Sequence, residues 1–320
     1  MLKSVLRRGA TIAALATATL ANAQTVPPAP APAEAAKPMA PAPAAPKVEV
    51  RDVDPALWVV KDADTTIYMF GTVHVLKPGL GWFDDGVKAA FDASQEVVLE
   101  VDLPDDPAAM QQKIMPLIMD MDGPPLTQRL PAASRPKYAA ALTSAGLPAG
   151  AFDMFHPWFV STALAVLPLG KLGYDPASGA EKQIQTAAKA AGKPIVSLET
   201  VEQQMGFLSS PPAEQQMKML VKAIDEFDEA GPTLDKMVAD WGAGRPDALA
   251  AEMNEQMKDF PEVEKALLTD RNSNWADWIK TRLAKPGTVF MAVGAGHLAG
   301  KGSVQDMLAA RQLKATRVNY

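Results

Sequence analysis

Two segments of this 320-residue chain carry the residue types best suited to chemistry: Phe70-Gly71-Thr72-Val73-His74 and Val293-Gly294-Ala295-Gly296-His297. Each is a Gly-x-x-His turn placed directly after an apolar run that reads as a buried strand, Thr65–Phe70 and Thr288–Val293. The chain has three histidines, and two of them obey this pattern. A glycine turn at a strand end lets an imidazole stand over a cleft. Two further apolar stretches, Val97-Val98-Leu99-Glu100 and Ile195-Val196-Ser197-Leu198-Glu199, each close on a glutamate. Imidazoles and a carboxylate on separate strand ends are the ligand types of a divalent ion with positions left open for water. Such an ion lowers the pKa of its water and polarises a carbonyl, while a nearby carboxylate accepts the proton. His74, Glu100 and His297 are the expected metal ligands. Glu100, Glu199 or Asp102 would take the proton. Without an ion, His74 or His297 is itself a candidate general base. A site that binds a peptide or small ligand without chemistry fits the same residues.

The remaining candidates are weaker. Arg271-Asn272 follows Leu267-Leu268-Thr269-Asp270 on a helix. Arg271 can make a surface pair with Asp270 or Asp277, or it can grip a substrate carboxylate or an oxyanion with Asn272 donating beside it. His156 precedes Pro157-Trp158 in an apolar stretch and reads as structural. There is no His-Glu-x-x-His, no serine nucleophile elbow and no P-loop, and Gly294-Ala295-Gly296 lacks the third glycine of a dinucleotide fingerprint and carries His297 instead. Zero cysteines remove disulfides, thiolate nucleophiles and thiolate metal sites together.

These residues need a sheet to hold them. Ala56–Val60 and Thr65–Phe70 flank the polar turn Lys61-Asp62-Ala63-Asp64 and predict a β-hairpin. A helix over Asp84–Ser94 leads into a buried strand over Glu96–Val101. From Asp106 to about Gly170 the pattern is helical with proline breaks, and its stripe of Met110, Ile114, Met115, Leu117, Ile118 and Met119 reads as core. A helix over Glu181–Ala191 stops at Gly192-Lys193-Pro194, and Ile195–Leu198 is a short strand. Thr200-Val201-Glu202-Gln203 fits a capping box, after which helical periodicity runs with breaks from Ala213 to Ala284. Strand Thr288–Val293, helix Ser303–Arg311 and strand Ala315–Asn319 complete the order. Strands come first and last around a long helical middle. The predicted fold is therefore α/β, a mixed sheet built from two pseudo-equivalent halves with a large helical insertion between them. The order His74, Glu100, Glu199, His297 is mirrored between the halves and predicts that all four meet at one rim.

The N-terminus reads as an export signal over residues 1–23. Lys3, Arg7 and Arg8 precede a small, apolar stretch, and Ala21-Asn22-Ala23 fits the cleavage rule. That stretch is too short for a bilayer span, so the expected mature chain carries no transmembrane anchor and is periplasmic or secreted. Residues 24–47 are rich in proline and alanine and predict a semi-extended linker. The folded domain is expected over residues 48–320. Removing residues 1–23 takes away three of 31 basic residues and none of 37 acids, for a net charge of −9. No basic footprint for nucleic acid is present.

The ordered set Phe70-Gly71-Thr72-Val73-His74, Leu99-Glu100, Pro157-Trp158, Gly173-Tyr174-Asp175, Gly192-Lys193-Pro194, Leu198-Glu199-Thr200 with Gln204, Arg271-Asn272 with Trp275, and Val293-Gly294-Ala295-Gly296-His297-Leu298 resembles the TraB/GumN family, related to the animal Tiki proteins. The resemblance covers about Asp54 to Tyr320. It implies a metal-dependent, peptidase-like hydrolase with His74, Glu100 and His297 on manganese or cobalt. Together with the residues themselves, the expectation is a hydrolase on manganese, cobalt or zinc in which Glu199 and Arg271 position substrate. More distant relatives imply two other chemistries, an esterase in which a histidine is the base without metal, and haem binding.

Overall fold

The computed structural model describes residues 50–320 apart from Asp105. The expected signal (1–23) and linker (24–47) lie outside the described residues. The predicted hairpin forms from β2 (Leu57–Lys61) and β3 (Thr65–Thr72), antiparallel in register from Leu57 opposite Phe70 to Lys61 opposite Thr66. The turn is fixed by Asp62, whose side chain accepts from the N–H groups of Asp64 and Thr65. Helix α1 (Asp85–Ala93) then leads to β5 (Glu96–Leu99). A two-residue parallel pairing of β1 (Arg51–Asp52) with β4 (Leu80–Gly81) has no counterpart in the expectation, since two residues carry no period to read.

The main sheet is mixed and six-stranded, in the order β6-β5-β7-β3-β2-β8, with β6 at Ile195–Ser197, β7 at Gly287–Gly294 and β8 at Thr316–Val318. β6, β5, β7 and β3 run parallel, and β2 is antiparallel to both β3 and β8. The two Gly-x-x-His strands, β3 and β7, are neighbours. So are the two glutamate strands, β5 and β6. Parallel strands are covered on both faces and read as continuous apolar runs. Along β7 the faces alternate: Phe290 and Ala292 pack with Phe70, Trp82, Phe91 and Trp241, while Val289, Met291 and Val293 pack with Ile67, Met69, Trp275 and Ile279.

The helical insertion falls in two parts. Between β5 and β6 lie α2 (Pro107–Ile118), α3 (Leu126–Arg129), α4 (Arg135–Ser144), α5 (Pro157–Val166) and α6 (Ala180–Ala190). Between β6 and β7 lie α7 (Val201–Ser209), α8 (Ala213–Asp225), α9 (Ala230–Gly242), α10 (Pro246–Met257), α11 (Pro261–Glu264) and α12 (Asp270–Leu283). α13 (Val304–Ala310) precedes β8. Much of this insertion shares a separate apolar core, including Ile114, Leu142, Phe159, Leu164 and Leu220. The Met, Ile and Leu stripe of α2 packs into it, as expected for core. Among the described residues no helix is long and apolar enough to cross a membrane.

Candidate functional site

Four parallel strands that lie side by side end at one edge of the sheet, and each hands over directly to a candidate residue: β3 to His74, β5 to Glu100, β6 to Glu199, β7 to His297. Ligands of open α/β sheets sit at this carboxyl edge. The glycines of the turns are needed for close approach. A Cβ on Gly71 would stand 2.9 Å from the Ala295 backbone, so the first turn admits the second only as glycine. The Gly294 N–H donates to Glu100 Oε1 at 2.6 Å, and a Cβ there would sit 3.2 Å from the same oxygen. Beyond the strands, the β5–β6 ladder runs on through Leu198 N–H to Leu99 O and Glu199 N–H to Glu100 O, both 2.9 Å. That extension holds the two glutamates side by side.

The centre of the site is Arg271. Its Nε and Nη2 donate to the two oxygens of Glu199, each at 2.8 Å. Nη2 also donates to Glu100 Oε2 at 2.7 Å, and Nη1 donates to Leu267 O at 3.1 Å. Nη1 lies 3.0 Å from His297 Nε2. An arginine has five N–H donors, and all five are used here. The carbonyl of Leu267 is available because residues 265–269 form a π turn, in which the Asp270 N–H reaches back to Lys265 O. Neither surface partner weighed for Arg271 is used: Asp270 pairs with Lys265, and Asp277 pairs with Arg311. Trp275 donates to Glu199 Oε1 at 3.0 Å, and Gln204 donates to Glu100 Oε2 at 3.1 Å.

His297 is fixed as the neutral ring. The Asn272 amide donates to Gly302 O at 2.8 Å, which turns its oxygen toward His297 Nδ1 at 2.6 Å. Nδ1 therefore carries the proton, and Nε2 is left to accept from Arg271. Burial, helped by the nearby guanidinium and against the pull of Glu100, holds this histidine down to about 3. For Glu100, burial works upward, but Arg271 first, then the charged His74 and the Gly294 N–H, bring it down to about 2. Glu199 moves the other way, because its burial outweighs Arg271.

His74 stands apart from this network. Its Nδ1 pairs with Glu181 Oε2 at 2.7 Å, and its side chain is 29% exposed, which makes it the imidazole of the pair that solvent reaches. Burial would lower its pKa, yet Glu181 outweighs burial and raises it to about 9. Glu181 comes from the first turn of α6, which begins hard against the His74 turn: a Cβ on Gly179 would meet His74 O at 2.1 Å. Sequence reasoning missed Glu181, because an acid in a first helical turn reads equally well as ordinary dipole compensation.

Two other candidates lie outside the cluster. Asp102 is exposed and accepts from Gln185 at 2.7 Å. His156 occupies the N-cap position of α5 without a side-chain cap bond and lies 3.5 Å from Asp120.

The expected ligands His74, Glu100 and His297 are of types that suit a divalent ion, but their arrangement does not fit one. The Nε2 lone pair of His297 and an oxygen of Glu100 both face the guanidinium. Among the described residues no group of three His, Cys, Asp or Glu is arranged to hold a metal.

A mixed-sheet α/β domain with a buried arginine, carboxylate and imidazole centre at the carboxyl edge of its parallel strands is the class this geometry defines. The chain matches the TraB/PrgY/gumN family over residues 56–317 and belongs to it. It is 28% identical over 167 residues to the Escherichia coli (strain K12) protein named "Uncharacterized protein YbaP", covering 51% of this chain and 60% of that one. It therefore spans about three fifths of YbaP. A Treponema pallidum (strain Nichols) protein, also named as uncharacterized, is 21% identical over 280 residues, 80% of each chain. No solved structure matches.

Proposed function

We propose that this centre hydrolyses an amide or ester bond in a peptide or small-molecule substrate, with His74 moving the proton. The observation that carries the reading is the 2.7 Å pairing of Glu181 with His74 on the open side of a buried charged cluster. The charge of Glu181 beside Nδ1 stabilises the protonated ring, and Nε2 is the nitrogen left to exchange protons with a reacting water. The water oxygen bonds to the carbonyl carbon as its proton passes to Nε2. Collapse then breaks the bond to the leaving nitrogen or oxygen, which takes that proton back, so nothing else is consumed. The base form of His74 is the minor one below about pH 9, so the rate rises with pH up to that value and then levels.

Glu100, Glu199, Arg271 and His297 form the fixed floor of the site. Arg271 has no free donor for substrate, so its contribution in this reading is the field it sets rather than a direct grip. The ion-dependent version of the reaction, with manganese, cobalt or zinc on His74, Glu100 and His297, requires Arg271 to withdraw first. The N-terminal signal pattern supports an activity in the periplasm or outside the cell.

The test is turnover of a fluorogenic peptide library and of p-nitrophenyl esters, before and after exhaustive chelation, by wild type and His74→Gln. Turnover that survives chelation and falls at least about 100-fold in H74Q supports the reading. Turnover lost on chelation and restored by manganese assigns the chemistry to an ion instead. No turnover on any substrate, with ligand retained, leaves a binding protein.

A further inference from the structure

Every group that touches the Arg271 guanidinium at hydrogen-bond distance is an acceptor. Two carboxylates, one imidazole nitrogen with its lone pair exposed and one backbone carbonyl converge on it within 2.7–3.1 Å. Those are the ligand types of a first-row divalent ion, set here around the three nitrogens of a planar guanidinium rather than around a point. Its polar groups are supplied from four separate places: the end of β5, the end of β6, the turn after β7, and the π turn before α12. Trp275 and Phe207 lie 4.8 and 5.7 Å from the guanidinium carbon. The charge is held inside: Glu100, Glu199, Arg271 and His297 are all less than a tenth exposed. One positive charge faces two carboxylates and a neutral imidazole, so the cluster without Arg271 carries two negative charges and no counterion.

We propose that Arg271 is the resident cation of this centre, holding Glu100, Glu199 and His297 in place of a metal ion, so that removing the guanidinium converts the same acceptors into a divalent-metal site. The inference goes beyond the hydrolytic reading and stands without it, because its readout is metal-linked stability rather than turnover. An arginine is well suited to this position, since it is always charged and its planar fork satisfies a carboxylate bidentately while still reaching a second one.

The experiment compares full-length wild type with Arg271→Ala in thermal melts and titration calorimetry, using Mn2+, Co2+ and Zn2+ with Mg2+ as control. Wild type is expected to melt at one temperature with chelator or with any of the ions. R271A is expected to melt lower in chelator and to regain about 5–10 °C at an ion concentration about 100 times its dissociation constant. The double variant R271A/H297A is expected to lose that gain. If R271A does not fold in chelator, its refolding yield with and without Zn2+ gives the same answer, and recovery only with the ion supports the proposal. Three results overturn it: a wild type destabilised by chelation, an R271A unaffected by every ion, or a gain that persists unchanged in R271A/H297A. The first result would leave the His74 proton-transfer reading to be judged by its own turnover test.

Discussion

The two Gly-x-x-His turns begin from the same local sequence and end in opposite electrostatic states. They follow neighbouring parallel strands whose last residues, Thr72 and Gly294, are paired in register. His74 is partly exposed and faces a carboxylate, and its pKa rises to about 9. His297 is buried, faces a guanidinium on one nitrogen and an amide oxygen on the other, and falls to about 3. α10 adds to the contrast by closing over the second turn, where a Cβ on Gly296 would stand 2.2 Å from the Met253 methyl. The motif delivers an imidazole to the sheet edge. Whether the ring is protonated is decided by how deeply it is buried and by the charge that distant elements bring against that burial: Glu181 overcomes it at His74, and Glu100 fails to at His297.

The comparison breaks most severely at Glu100, which accepts from both Arg271 and the Gly294 N–H. Glu100→Ala leaves a buried guanidinium short of a partner and frees the second turn. A loss of about 3–5 kcal/mol in urea unfolding is expected, and an unchanged midpoint would mean the cluster is not holding the turn.

A milder test is stability against pH, measured by urea melts from pH 4 to 10. Below pH 6.5 the unfolded chain protonates His297, which the folded chain refuses until about pH 3. Below 4.5 the unfolded chain also protonates Glu100, which stays ionised when folded down to about 2. The unfolded state then binds more protons, so stability falls with falling pH, by about 1.4 kcal/mol per unit for each group. His74 runs the opposite way: the folded state keeps a proton that the unfolded state releases at 6.5, and that stabilisation is lost as pH rises through about 9. The expected curve peaks near pH 6.5, and a monotonic one would contradict opposite linkage in the two histidines.

The smallest expected effect sharpens the cause. Glu181→Gln removes the charge that outweighs burial, so the His74 pKa should drop by more than one unit when followed by NMR titration. A value still near 9 would place the cause elsewhere.

Much of this contrast could be seen in the sequence only as similarity. The strands, the capping box at Thr200 and Gln203, and the four rim residues announced themselves through apolar runs, glycines and short-range spacing. Their partners did not. Glu181 lies 107 positions from His74, and the Arg271 contacts span 72 and 171 residues. Charge pairing at that range leaves no local pattern, so Arg271 reads as a surface or substrate-facing residue although it sits at the centre. The π turn before α12 is equally silent, because Lys265–Thr269 scans as ordinary helix.

The position of β7 has a kinetic consequence. The strand lies between β3 and β5, yet it is translated after nearly everything else, and Thr65 Oγ1 bonds Leu283 O across 218 residues. Until that late segment inserts, β3 and β5 have no shared neighbour, and two apolar strand edges stand open. Closing so long a loop is entropically costly and slows the search for the native pairing. Arg271 and His297 both belong to this last quarter of the chain, so the centre is assembled at the step that completes the sheet. An incompletely synthesised chain would then present sticky edges and no site.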